Sequence, residues 1–213
     1  MNDRPESRPR LRLVFGASGY LGTHLDPRLL AAGVPVRVFS RQPQVPEARG
    51  WRGAVVADAL DPENLPVALA GVGIAYYLAH SMGAGRNFGQ LDLRAAAHFA
   101  AAAARAGVER VCYLGGLVPK DADAEHSVSR RETGDVLRRG PVPVTEIRVG
   151  IIVGPGSAAF EVMRDLVYHL PVMVTPRWVR AKSSPALPNQ RRAHRVGAGG
   201  KVGQVRPHVS AGR

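Results

Sequence analysis

The sequence predicts an α/β fold built on a doubly wound parallel sheet, and three observations carry that expectation. Short apolar runs alternate with segments of helical periodicity through most of the chain, the pattern that successive βαβ units produce. A glycine-rich turn, Gly16-Ala17-Ser18-Gly19-Tyr20-Leu21-Gly22, joins the first apolar run to the first helical segment. The composition, 45% hydrophobic and 22% charged over 213 residues, is that of a globular domain able to bury a core.

The elements follow in order. Residues 1–10 are charged and contain Pro5 and Pro9, so a flexible arm is expected there. Leu11–Phe15 reads as a strand. Tyr20–Ala32 reads as a helix on the spacing of Leu21, Leu25, Leu29 and Leu30, with Pro27 in its first turns and Gly33 as its stop. Val34–Phe39 and Ala54–Ala57 are the next strands. Pro62–Ala70 is a short helix, capped by Asp61 with proline at its first position. Ile74–Leu78 is a fourth strand. Asn87–Ala106 is a long helix closed by Gly107, and Arg110–Leu114 a fifth strand. Val128–Arg139 is a helix closed by Gly140, Val144–Val149 a sixth strand, and Ser157–His169 a last helix. The apolar stretches Val55-Val56 and Ile147–Val153 read as strands covered on both faces. Beyond Pro176 the periodicity stops. Residues 11–180 are therefore expected to form the domain, and residues 181–213 a disordered basic tail.

Charge and composition narrow the class. The formal net charge is +12, but nine basic residues lie at or beyond Arg177 with no acidic residue among them. The body is close to neutral. A basic tail can meet phosphate backbones without sequence preference, yet specific nucleic-acid binding is not expected. The longest apolar stretch, Ala95–Ala106, is broken by His98 and Arg105 and is too short for a span of roughly 20 residues. The start of the chain has no apolar segment of the signal-peptide type. Cys112 is the single cysteine, so no intrachain disulfide framework exists. A soluble cytoplasmic protein without membrane partner or metal is expected.

The glycine turn carries the chemistry. Between a strand and a helix, Gly16 permits a tight turn, Gly19 lets backbone approach a pyrophosphate, and Gly22 lets helix pack closely on strand. The helix N-terminus then offers free N–H groups and a positive dipole end to phosphate. A dinucleotide-binding Rossmann domain follows, with Gly16 to Gly22 holding the pyrophosphate. The second strand ends at Ser40 and Arg41. An acid there would bind a ribose 2′-hydroxyl, whereas arginine pairs with a 2′-phosphate. NADP is thus the expected cofactor, with NAD the alternative. Asp58, followed by Ala59, ends the third strand at the same edge, either accepting from an adenine amino group or capping its own turn. Leu78, Ala79 and His80 end the fourth strand and border the nicotinamide end. His80 is a candidate for acid–base work, and also reads as an ordinary pocket-edge histidine.

The run Val14 to Gly22 with Asp58 resembles the atypical and extended short-chain dehydrogenase/reductases. More narrowly, Tyr76–Met82, Tyr113–Leu117 and Pro171–Val179 resemble a bacterial NAD(P)-binding subgroup of that superfamily, the NmrA-like or nucleoside-diphosphate-sugar epimerase-like proteins. The resemblance covers roughly residues 11–180. It implies an oxidoreductase or epimerase-like enzyme on a small substrate. Two departures stand out. Phe15 occupies the place of the usual threonine before the first glycine. The Tyr-x-x-x-Lys pair is missing, and the matching helix start holds His126 and Arg130, four residues apart on one face. Arginine can hold a ribose or phosphate but cannot titrate. His126 and Arg130 join His80 as catalytic candidates, and a non-catalytic NADP(H)-binding redox sensor is the alternative. Relatives continue past the Pro-Arg-Trp-Val stretch in apolar elements. Here the sequence turns arginine-rich, so a frameshift or truncation near Ala181 is expected.

Overall fold

The computed structural model describes residues 10–42, 50–79, 88–117 and 125–169. Expectations for the remaining stretches, among them the arm, the tail and His80, lie outside the described residues. Six parallel strands form one sheet: β1 (Leu11–Phe15), β2 (Val36–Ser40), β3 (Gly53–Val56), β4 (Val72–Tyr77), β5 (Arg110–Gly116) and β6 (Val144–Val149). Their spatial order is β3-β2-β1-β4-β5-β6. The order reverses between β1 and β4, the switch point where ligands of open α/β sheets bind.

The helices are α1 (Tyr20–Ala31), α2 (Leu65–Leu69), α3 (Phe88–Arg105), α4 (Glu125–Arg139) and α5 (Ala158–His169). Side chains alternate along each strand, so each face has its own core. Leu13, Phe15, Ala75, Tyr77, Val111 and Tyr113 point to the face covered by α2, α3 and α4. Val14, Val36 and Val38 point to the other face, where Leu25, Leu29 and Leu30 of α1 and Trp51 pack on them. Phe15 explains its own departure from threonine. Its ring stacks on Phe39 and Tyr77 at 4.6 and 4.9 Å and meets Phe99 at 4.9 Å, forming an aromatic floor under the sheet's carboxyl edge.

Three expectations need correction. The helix read over Pro62–Ala70 is a 3₁₀ turn (Pro62–Asn64) followed by the five-residue α2. Pro66 has no N–H to bond the Pro62 carbonyl, so the opening turn is 3₁₀, and the two pieces run on without a break from Pro62 to Leu69. Asp61 does cap this start, Oδ1 accepting from the Glu63 N–H at 3.1 Å. Secondly, among the described residues β3 and β6 are the sheet's edges, not strands covered on both faces. Val56 and Ile147 are each 50% exposed, and β6 stops at Val149. Apolar runs cannot tell a central strand from an edge one, because position in the sheet is set by topology. Lastly, Pro27 lies beyond the first turn of α1, where the N–H it lacks would have bonded Thr23.

Arg37 ties β2 to the end of α2. Its Nη1 donates to the carbonyls of Val67, Ala68 and Ala70 at 3.0, 3.0 and 2.7 Å. These are last-turn carbonyls with no helical partner, and a cation suits that helix end. Arg37→Ala is expected to cost about 2 kcal/mol, in the range for charge-assisted hydrogen bonds. Urea unfolding checks this, and a loss under roughly 0.5 kcal/mol, the size of an ordinary surface change, would contradict it.

Candidate dinucleotide-binding site

The glycine turn sits between β1 and α1 at the carboxyl edge of the sheet. Gly16 has φ +94°, a left-handed conformation in which a side chain is strained. A Cβ there would also stand 2.8 Å from the Ala79 backbone nitrogen, so the end of β4 closes on the turn. The Gly16 N–H donates to the Phe39 carbonyl at 3.0 Å, and the Gly19 N–H to the Gly16 carbonyl at 3.1 Å. A Cβ on Gly22 would fall 2.5 to 2.7 Å from the Ala17 oxygen, Cα and carbonyl carbon. Only glycine lets α1 start this close to the turn.

Gly19 is the N-cap of α1 and supplies no side-chain acceptor, and the first turn holds no acidic residue. The leading N–H groups are therefore not taken by a cap, and no carboxylate competes for the dipole's positive end. A pyrophosphate fits this cradle.

One cavity of about 1070 Å³ runs along the sheet edge. Gly16, Ser18, Gly19, Tyr20, Leu21 and Gly22 of the turn line it. Ala17 does not line it; it is buried among Val14, Val36 and Val38. At the β2–β3 end the cavity is lined by Ser40, Arg41, Asp58 and Ala59. Ser40 is buried and braced: its hydroxyl donates to Ser18 Oγ at 3.0 Å and accepts the Gln42 N–H at 3.1 Å. Arg41 is exposed beside it. Asp58 caps its own turn, with Oδ1 accepting the Leu60 N–H at 2.9 Å.

At the β4–β5 end the walls are Leu78, Ala79, Leu114 and Gly116. Burial pushes the Tyr77 and Tyr113 phenols well above their ordinary range, and the nearby Asp92 carboxylate adds to this in both. Neither phenol is suited to giving up a proton near neutral pH. His126 and Arg130 both reach the cavity from α4, as their four-residue spacing implied. The His126 ring lies on Phe88, 4.4 Å between centroids.

Sequence reasoning missed the far wall. Gly156, Ser157, Ala158 and Ala159, at the start of α5, line the same cavity. Ser157 Oγ accepts from the Gly154 and Phe160 N–H groups at 3.1 and 3.3 Å. The Gly154-Pro155-Gly156-Ser157 run is a legible helix-start signal, but its place beside the site depends on where β6 lies. Ser127 and Asp92 were missed too; each is an ordinary helix residue until α3 and α4 pack. Among the described residues no group of His, Cys, Asp and Glu is placed to hold a metal ion, and no described helix is long and apolar enough to cross a membrane.

A parallel sheet with this strand order, an uncapped glycine-started helix at its switch point and a cavity along that edge define a Rossmann dinucleotide-binding protein. Comparison with known proteins agrees: the NAD(P)H-binding family model matches residues 16–140. The chain belongs to this NAD(P)H-binding family, and its cofactor is a nicotinamide dinucleotide. It is 32% identical over 185 residues to a Streptomyces griseus protein named (4-alkanoyl-5-oxo-2,5-dihydrofuran-3-yl)methyl phosphate reductase, covering 82% of this chain and 62% of that one. The chain thus spans less than two thirds of that relative. Among solved structures, WbmH of Bordetella bronchiseptica in complex with NAD+ matches with a TM-score of 0.68 at 16% identity, over 87% of this chain and 71% of that one. Pen from Bacillus thuringiensis matches with a TM-score of 0.70 at 15% identity, over 86% and 63%. These two show the fold.

Proposed function

We propose that the chain is an NADP(H)-using oxidoreductase, reductase-like or epimerase-like, that acts on a small carbonyl or hydroxyl substrate. One observation carries this reading. The cavity is lined not only by the glycine turn and the ends of β2, β3 and β4, but also by Leu114 and Gly116 of β5, by His126, Ser127 and Arg130 of α4, and by Val149 and Ile151 at the end of β6. A domain that only sensed a dinucleotide would need no such further lining. The relatedness to a reductase supports the same reading.

The bound nicotinamide ring would supply or accept hydride; the chain's residues would bind, orient and shield. Gly16, Ser18, Gly19, Tyr20, Leu21 and Gly22 would hold the pyrophosphate. Arg41 would pair with a 2′-phosphate, while Ser40, whose hydroxyl is engaged with Ser18 and Gln42, would hold the turn in shape. Asp58 and Ala59 would flank the adenine end, and Leu78 and Ala79 the nicotinamide end. His126 is the described candidate for moving a proton to or from the substrate oxygen. Arg130 stays charged and would act as a binding group.

Arg41→Glu is expected to weaken NADPH binding about tenfold or more, the loss of one charge-assisted phosphate contact. NADH binding should change by less than about threefold, since the ribose hydroxyl offers no charge to lose. Parallel fluorescence titrations check both, and equal effects on the two cofactors would remove the NADP assignment. The replacement of Tyr-x-x-x-Lys with His126 and Arg130 motivates a redox-sensor alternative, which the relatedness to a reductase does not favour. The two readings part on turnover: NADPH consumption with a panel of aldehydes, ketones and unsaturated lactones is expected. Tight NADPH binding without consumption on any of them would leave the sensor standing.

A further inference from the structure

Two unlike sets of side chains line the cavity besides the glycine turn and the ends of β2, β3 and β4. On α4, His126, Ser127 and Arg130 present a ring, a hydroxyl and a guanidinium. Ile151, Ile152 and Ala159 line the same cavity and are apolar. The polar set is held in place from two sides. Tyr113 Oη donates to the Arg130 carbonyl at 2.7 Å. One residue away, the buried Ser129 hydroxyl donates to Asp92 Oδ2 at 3.2 Å, and Asp92 itself is only 7% exposed. These bonds join α4 to β5 and α3 and fix the rotation of α4, so the 126, 127 and 130 side chains are directed to the cavity by packing. A guanidinium beside a hydroxyl and an imidazole is a donor set for an oxyanion, because arginine offers a planar fork of charged N–H groups. The dinucleotide's own phosphates are provided for elsewhere, at the α1 N-terminus and Arg41.

Building on the oxidoreductase reading, we infer that the substrate is amphiphilic: it carries an oxyanion, phosphate or carboxylate, bound by Arg130 with Ser127 and His126, and an apolar arm that lies along Ile151 and Ile152. Pockets of this kind take their affinity from the apolar wall and their orientation from a few polar groups. The anion would then hold the substrate with its reacting carbon toward the nicotinamide end over β4.

The test uses the full chain saturated with NADP+ and four probes measured by calorimetric titration: hexyl phosphate, heptanoate, hexanol and inorganic phosphate. Hexyl phosphate or heptanoate is expected to bind at least tenfold more tightly than hexanol and than inorganic phosphate, and the tighter of the two identifies the anion. Arg130→Met should weaken that probe at least tenfold and leave hexanol and NADP+ affinity within twofold; Arg130→Lys should restore part of the loss. Ile152→Asp should reduce the same probe to the affinity of inorganic phosphate. Retained NADP+ affinity shows that each variant folds. Equal binding of the anionic and neutral probes overturns the inference, as does an Arg130→Met loss confined to NADP+, which would make Arg130 a cofactor residue. Failure of the wild-type chain to bind NADP+ would instead overturn the oxidoreductase reading.

Discussion

Gly22→Ala is expected to abolish useful dinucleotide binding and to destabilise the fold. The added Cβ would meet three backbone atoms of Ala17, none farther than 2.7 Å. No side chain can rotate away to make room; the turn must open or α1 must shift. Overpacking of a rigid contact costs about 1–3 kcal/mol, and a clash on backbone alone belongs at the upper end. Moving α1 also moves the N–H groups that face the pyrophosphate. Affinity for NADPH and NADH should both fall by about 100-fold, equivalent to about 2.7 kcal/mol. Gly89→Ala is the matched control. Its Cβ would meet nothing nearer than the Ser129 Cβ at 3.8 Å, an ordinary contact. That variant should hold both stability and cofactor affinity. If Gly22→Ala binds NADPH like the wild type, the pyrophosphate does not sit on this turn.

Asp26→Asn should raise stability at neutral and alkaline pH and remove a pH dependence that the wild type carries. Asp26 lies in α1 four residues after Gly22, only 4% exposed, and its Oδ1 has no hydrogen-bond partner. Burial alone pushes its carboxyl from 3.8 up to about 7. The folded chain therefore holds this proton over a pH range in which the unfolded chain has lost it. Stability falls as pH rises through that window, from about 4 to about 7, and is level above it. At about 1.36 kcal/mol per pKa unit the full span is up to about 4 kcal/mol. Asparagine has the shape of the protonated acid and never ionises. Its advantage in urea unfolding should be small near pH 4, grow steadily to pH 7 and stay constant beyond. An advantage that does not change with pH would show that the carboxylate is solvated in the native state.

Both predictions rest on features that differ in how far the sequence reveals them. Gly22 was legible because its demand is local. A strand, three glycines at fixed spacing and a helical run specify where the chain must turn and which atoms must approach. Asp26 left only a trace. It falls on the same helix face as Gly22 and Leu30, but whether that face is buried against the sheet is decided by β1 and β2. Asp58 shows the same limit: the sequence allowed an adenine contact or a turn cap, and the Leu60 N–H settles where one oxygen goes.

The site was legible by halves. The glycine turn, Arg41 and the ends of β3 and β4 could be placed because in a βαβ series each strand ends at one edge, and the residues that follow it face that edge. The rest of the cavity lining could not. Ser127, Asp92, Ile151 and Ala159 come to line the turn's cavity only through packing between elements far apart in the chain.

Taken alone, the sequence determined the order and type of the elements, the position of the phosphate cradle and the class of molecule held there. These follow from backbone conformation and periodicity, which act over a few residues. Tertiary structure decided which strands became edges, why Phe15 displaced a hydroxyl residue, and how Ser40 came to brace the turn. It also brought His126, Ser127 and Arg130 of α4 to the same cavity as Ile151 and Ile152. Such choices depend on which side chains share a buried volume, and that is fixed only when distant segments compete for the same space.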